Sequence, residues 1–140
     1  MAVIVDVATR PGVGWEMGRH MPADLVESAL RNALAWRKPA DSLRRHSDRG
    51  SQYASRSFQA LLRKHGLVCS MSRKGSCWDN AVVESFFGTY KQEIARHARW
   101  SSVAEARAAT VGYIEAFYNR KRLHSTLGYR TPMEADEEAA

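Results

Sequence analysis

Two carboxylates, Asp48 and Glu84, stand with 35 residues between them, each inside a run of uncommon composition. The first run is His46-Ser47-Asp48-Arg49-Gly50-Ser51-Gln52-Tyr53. The second is Trp78-Asp79-Asn80-Ala81-Val82-Val83-Glu84-Ser85-Phe86-Phe87. Carboxylates this far apart in sequence can share a site only if the fold returns the chain on itself. Oxygen ligand sets of that kind suit Mg²⁺, which favours octahedral oxygen coordination and retains several waters. Two such ions about 4 Å apart can clamp both oxygens of a phosphodiester displacement. Taken alone, Asp48 reads as a turn residue before Gly50, and Glu84 as a solvated helix glutamate. Read together, they are candidates for one shared site.

The hydrophobic pattern supplies the elements of an α/β fold. Ala2 to Val7 is a short β-branched run, read as a buried strand. Pro11-Gly12 marks a turn, and Val13 to Arg19 reads as a second strand pairing as a hairpin. Leu25, Val26, Ala29, Leu30, Ala33 and Leu34 recur at helical spacing, so residues 22–36 form an amphipathic helix. Leu43 to Ser47 is a short strand that delivers Asp48 at its carboxyl end, the edge where ligands collect in open α/β sheets. Ser55 can cap a helix carrying Phe58, Leu61 and Leu62, which stops at Gly66. Leu67 to Ser70 is a further strand, followed by a polar loop with Arg73 and Lys74. A helix from about 79 to 94 places Val83, Phe87, Tyr90 and Ile94 on one face. Asn80, Glu84, Gly88 and Lys91 form the neighbouring polar stripe. Ser102 and Glu105 make a capping-box pattern. The helix after them, to about Tyr118, buries Ala106, Tyr113, Ile114 and Phe117. The segment 131–140 reads as an acidic tail that frays, leaving 1–130 as one core.

Composition narrows the classes. At 140 residues the chain is one domain with room for a core. Its formal charge of +6 favours a polyanionic partner. Two cysteines without a CxxC pair argue against a disulfide framework or a zinc site. No apolar run approaches the roughly 18 residues of a membrane span, and nothing resembles a signal peptide. The expected location is the cytoplasm.

Three motifs carry a resemblance to a known family. They are His46 to Tyr53; Met71-Ser72-Arg73-Lys74-Gly75-Ser76-Cys77-Trp78-Asp79-Asn80 running into Glu84-Ser85-Phe86-Phe87; and Phe117-Tyr118-Asn119-Arg120 with Arg122, His124, Leu127-Gly128-Tyr129 and Thr131-Pro132. The chain resembles the catalytic core of bacterial insertion-sequence transposases of the DDE class, the branch similar to retroviral integrases. The resemblance implies an RNase H-like mixed sheet flanked by helices. It implies metal-dependent phosphodiester hydrolysis and strand transfer on DNA, with Mg²⁺ or Mn²⁺ held by Asp48 and Glu84. Arg49, Arg73, Lys74, Asn80 and Lys91 become candidate DNA contacts. Trp78 and Tyr53 read either as base-stacking platforms or as packing residues. His46 reads as a core histidine or as a neighbour of the metal site. Tyr118, Asn119, Arg120, Arg122 and His124 organise the last helix against the catalytic one.

The family's first catalytic Asp lies on a central strand upstream of the segment resembling residues 2–15. An Asp at the position of Asp6 follows the second strand of the family and is not the catalytic one. The resemblance therefore implies an incomplete triad, two half-sheets in place of one sheet, and inactivity of the chain alone. A second copy, or a separate amino-terminal transposase polypeptide, would have to supply the rest. The alternative reading is a non-catalytic DNA-binding remnant or regulator of transposition. A third is an unstable product with no function.

Overall fold

The computed structural model describes residues 1–39, 43–47, 50–71 and 80–140. Two strands open the chain, β1 (Ala2–Val5) and β2 (Gly12–Glu16), and they pair antiparallel. Ala2 lies opposite Glu16 and Ile4 opposite Gly14, but Val5 lies opposite Gly12, so Val13 is an extra residue in the ladder. Helix α1 (Ala23–Trp36) lies across both strands, burying Val26, Ala29, Leu30 and Ala33. Its approach is very close at Gly14. A Cβ there would stand 2.4 Å from the Ala29 carbonyl and 2.6 Å from the Ala33 Cβ. Only glycine lets the helix settle on the strand at that distance.

β3 (Arg44–Ser47), α2 (Arg56–Lys64) and β4 (Val68–Met71) form a parallel crossover unit. Ser55 caps α2 by accepting from the Phe58 amide at 3.2 Å. Gly66, at φ 66°, turns the chain out of the helix. Among the described residues the strands thus make two separate two-stranded sheets, β1–β2 and β3–β4. This is the pair of half-sheets that the resemblance implies. One apolar cluster joins Ala2 of the first sheet to Val26 and Leu30 of α1 and to Phe58, Leu61, Leu62 and Leu67 of the crossover.

The second cluster holds the carboxyl-terminal helices. α3 (Ala81–Tyr90) continues into a π-helical stretch, Lys91–Ala95. α4 (Val103–Val111) continues into a longer one, Gly112–Tyr118. Phe86, Tyr90, Tyr113, Ile114 and Tyr118 pack there with Val3, Val5 and Trp15 of the first sheet. Two expectations are corrected. The residue at the centre of the buried face of α3 is Phe86, fully buried, while Phe87 is only half-buried. On the following helix Phe117 is 41% exposed, whereas Thr110 and Tyr118 are buried. The cause is the π register, seen in the Asn119 amide donating to the Ile114 carbonyl five residues back. More residues per turn rotate the helix face and bring Tyr118 inward where an α register would favour Phe117.

The acidic segment expected to fray is instead helix α5 (Pro132–Ala139). Thr131 and Glu134 form a complete capping box, and Pro132 opens the helix. Pro132 and Ala135 are buried, and Asp136 forms an ion pair with Arg37 at the end of α1. Among the described residues no helix is long and apolar enough to cross a membrane.

Candidate active site

Glu84 lies in the first turn of α3, where the helix dipole favours a negative charge. The helix is anchored by its opposite face. Phe86 and Tyr90 are one turn apart and stack nearly parallel, with centroids 6.3 Å apart. Phe86 also meets the Tyr118 ring edge-on at 4.9 Å, and the Tyr90 hydroxyl lies 2.8 Å from that of Thr110. Such offset aromatic contacts add to area burial. α3 is therefore fixed on β1 and on the 112–118 turn, while Glu84 stays exposed. Asn80 precedes the helix, half-buried, and its side chain makes no capping hydrogen bond. Lys91, two turns beyond Glu84, is exposed at the start of the π stretch.

Asp48 follows directly on Ser47, the buried last residue of β3. Asp48 and Arg49 themselves lie outside the described residues, as do Arg73, Lys74 and Trp78. Their neighbours are placed. His46 stands opposite Ser70 in the β3–β4 register, with Nδ1 3.1 Å from the Ser70 hydroxyl. Tyr53 packs edge-on against Phe58 at 5.6 Å, and the Arg45 guanidinium sits 4.7 Å from its ring centroid. Those contacts assign Tyr53 to packing.

Asp6 has a different task. One carboxylate oxygen accepts from the amides of Ala8 and Thr9, at 2.8 and 3.1 Å, and closes the turn after β1. The other pairs with Arg37 at 2.8 Å. Arg37 also reaches Asp136, which accepts from the Thr9 hydroxyl at 2.9 Å. Asp6 thus knots the first hairpin to the ends of α1 and α5.

The third motif is the organiser of this face. The Asn119 carboxamide, buried, accepts from the Gly12 amide at 2.9 Å and donates to the Gly12 carbonyl at 3.0 Å. It acts as one rung of a ladder on the edge of β2. His124 is tucked edge-on against Tyr118 at 5.0 Å, with Nε2 buried and unpartnered. Burial, then the charges of Arg122 and Arg10, lower its pKa below 6.5. Burial raises the Tyr118 phenol above its ordinary range. Sequence reasoning placed Tyr113 in the core but missed Glu93 and its link to Tyr113. Glu93 accepts from the Tyr113 hydroxyl at 2.8 Å and from Arg122 at 2.9 Å. Burial first, then the hydrogen bond to Glu93 and its charge, push the Tyr113 phenol far above its usual value. No local spacing signals this trio, because it joins three different turns.

Among the described residues no group of three His, Cys, Asp or Glu side chains gathers within reach of one ion. Glu84 is the oxygen donor that the described site presents to solvent.

With this geometry in place, comparison with known proteins is informative. The integrase core domain family matches residues 1–77, and a second family of the same description matches residues 65–132. A transposase for insertion sequence element IS904 from Lactococcus lactis is 42% identical over 98% of this chain and 54% of its own length. An uncharacterized 31 kDa protein of insertion element IS600 from Shigella sonnei is 46% identical over 94% of this chain and 48% of its own. Transposase InsF for insertion sequence IS3A from Escherichia coli is 44% identical over 94% of this chain and 46% of its own. The chain thus spans about half the length of the curated relatives it matches. A chain of the cryo-EM structure of the simian T-cell lymphotropic virus intasome, in complex with a PP2A regulatory subunit, superposes with a TM-score of 0.64. That match covers 84% of this chain and 41% of the other at 16% identity, which speaks to a shared RNase H-like fold alone. The half-sheets, the carboxylate motifs and the family matches lead to one conclusion: the chain belongs to the integrase core domain family and is a DDE-type transposase core of the insertion-sequence kind.

Proposed function

We propose that this chain serves DNA transposition and integration, with Asp48 and Glu84 as its catalytic and metal-holding carboxylates. The reaction is hydrolysis of a phosphodiester at the element's end, followed by attack of the freed 3′-hydroxyl on a phosphodiester of target DNA. Water supplies the first nucleophile and the deoxyribose oxygen leaves; in the second step that oxygen attacks and another 3′-oxygen leaves. Bound Mg²⁺ or Mn²⁺ would activate the attacking oxygen and stabilise the leaving one. The observation that carries the reading is the exposed carboxylate of Glu84 on a helix whose other face is clamped by Phe86 and Tyr90. Arg49, Arg73, Lys74, Asn80 and Lys91 are the proposed DNA contacts around it.

Asp6 is committed to the hairpin turn and to Arg37, so it supplies no third ligand. On this reading Asp48 and Glu84 need a further carboxylate from outside the described residues, and residues 1–140 by themselves are inactive. The setting of the reaction is the cytoplasm.

Mn²⁺ binding to the 140-residue chain, followed by electron paramagnetic resonance, tests the assignment. Asp48→Asn and Glu84→Gln should each release the ion. Unchanged binding in both variants would overturn the site. Strand transfer by the chain alone that Asp48→Asn abolishes would instead show that another of its own carboxylates completes the site.

A further inference from the structure

The positive charge of this chain is not evenly spread. Residues 43–78 hold eight Lys or Arg and one acid, Asp48, whereas the other residues hold thirteen bases and fourteen acids. That stretch contains the β3–α2–β4 crossover and residues 72–78. Outside that stretch four of the ten arginines sit in ion pairs: Arg37 with Asp6 and Asp136, Arg107 with Glu16, Arg122 with Glu93, Arg130 with Glu138. On α2 the pattern reverses. Phe58, Leu61 and Leu62 face the core, and the opposite stripe carries Arg56, Ala60, Arg63 and Lys64, all exposed. Among the described residues none of these three cations pairs with a carboxylate. Glu27 of α1 accepts from the Ser57 hydroxyl of α2.

We propose that the outer face of α2, through Arg56, Arg63 and Lys64, is a docking surface for the backbone of duplex DNA. The inference rests on the reading that DNA is the substrate, and extends it to a surface other than the proposed catalytic loop contacts. Arg56 and Arg63 are seven residues apart, about 10 Å along the helix at 1.5 Å per residue. Duplex DNA presents a charge every 1.7 Å or so of its axis, so this stripe spans several phosphates. Cations without partners give up no ion pair on binding, and each phosphate they neutralise releases condensed counterions. The occupant is a polyanion rather than a lipid surface, because a membrane-seated helix needs an apolar exposed face. The apolar residues of α2 are already buried.

The test is the salt dependence of binding to a fluorescent duplex of arbitrary sequence, measured in EDTA by anisotropy. Each phosphate contact contributes about 0.9 to the slope of log affinity against log salt. Arg56→Gln/Arg63→Gln/Lys64→Gln should flatten the slope by about 2–3. Arg56→Lys/Arg63→Lys should retain it, which separates charge from folding. Arg19→Gln/Arg31→Gln/Lys121→Gln removes the same net charge from exposed positions elsewhere and should leave the slope unchanged. Mn²⁺ binding by the same α2 variant should match the parent, so failure of the catalytic reading cannot pass for failure of this one. An unaltered slope in the α2 variant, an equal loss in the control, no binding by the parent chain, or tighter binding to anionic vesicles than to DNA would each overturn the proposal.

Discussion

Asn119 shows how much one side chain can decide. It supplies both a donor and an acceptor to Gly12 on the open edge of β2, and both partners are buried. Asn119→Ala leaves two backbone groups without partners, at about 1–3 kcal/mol each. Urea unfolding should show a loss on the order of 2–5 kcal/mol. Asn119→Asp should not restore it, because a carboxylate cannot donate to the Gly12 carbonyl; recovery with Asp would refute the rung. His124 carries a pH signature. Its folded-state pKa lies below the unfolded value of 6.5, so the unfolded chain takes up the proton first. Its contribution is intact above about pH 6.5 and is lost as pH falls below that value. Substituting His124→Gln should flatten stability between pH 7 and 5, read from midpoints of urea unfolding at each pH. A slope that persists would assign the effect to other groups.

At the scale of elements, close approach and helix register do the work. α1 rests on β2 at Gly14, where a methyl group would meet backbone as well as side chain. Backbone cannot swing aside as a flexible side chain can, so Gly14→Ala should cost at least the 1–3 kcal/mol typical of overpacking, about the upper end. Thermal unfolding of the variant checks this, and a shift of less than about 2 °C would mean that α1 slides freely on the hairpin. The π-helical stretch 112–118 is the second device. It turns Tyr118 inward onto Phe86 and so couples the third motif to the helix bearing Glu84.

At the scale of the whole molecule, the described strands form two half-sheets, and two apolar clusters hold them to the helices. Each described strand has a single strand neighbour. Two-stranded sheets are marginal by themselves, and open edges template association. Net domain stability is only about 5–15 kcal/mol, so a few unsatisfied edge groups would consume much of it. The isolated chain should therefore melt broadly, below about 60 °C, and elute in part as associated species on gel filtration. A sharp, reversible transition above that temperature from a clean monomer would mean that the edges are already satisfied.

The sequence by itself was enough for the strand and helix order, the capping of α2 by Ser55, the strand that leads to Asp48, and the family. Those features are local: apolar spacing, a hydroxyl before a helix, glycine after it, motifs of adjacent residues. It also placed Asn119 and Tyr118 in a role between helices, without their partners. Tertiary structure alone decided that Phe86 and Tyr118 are the buried pair: the face of α3 that turns inward depends on what packs against it, and the π register that turns Tyr118 inward has no short sequence signature. It alone made the acidic terminus a docked helix, because the Arg37 that neutralises Asp136 lies about a hundred residues away in the chain. It alone gave Asp6 its partners, by folding the first hairpin against both helix ends. Contacts between distant segments depend on how whole elements pack, and no window of neighbouring residues contains that information.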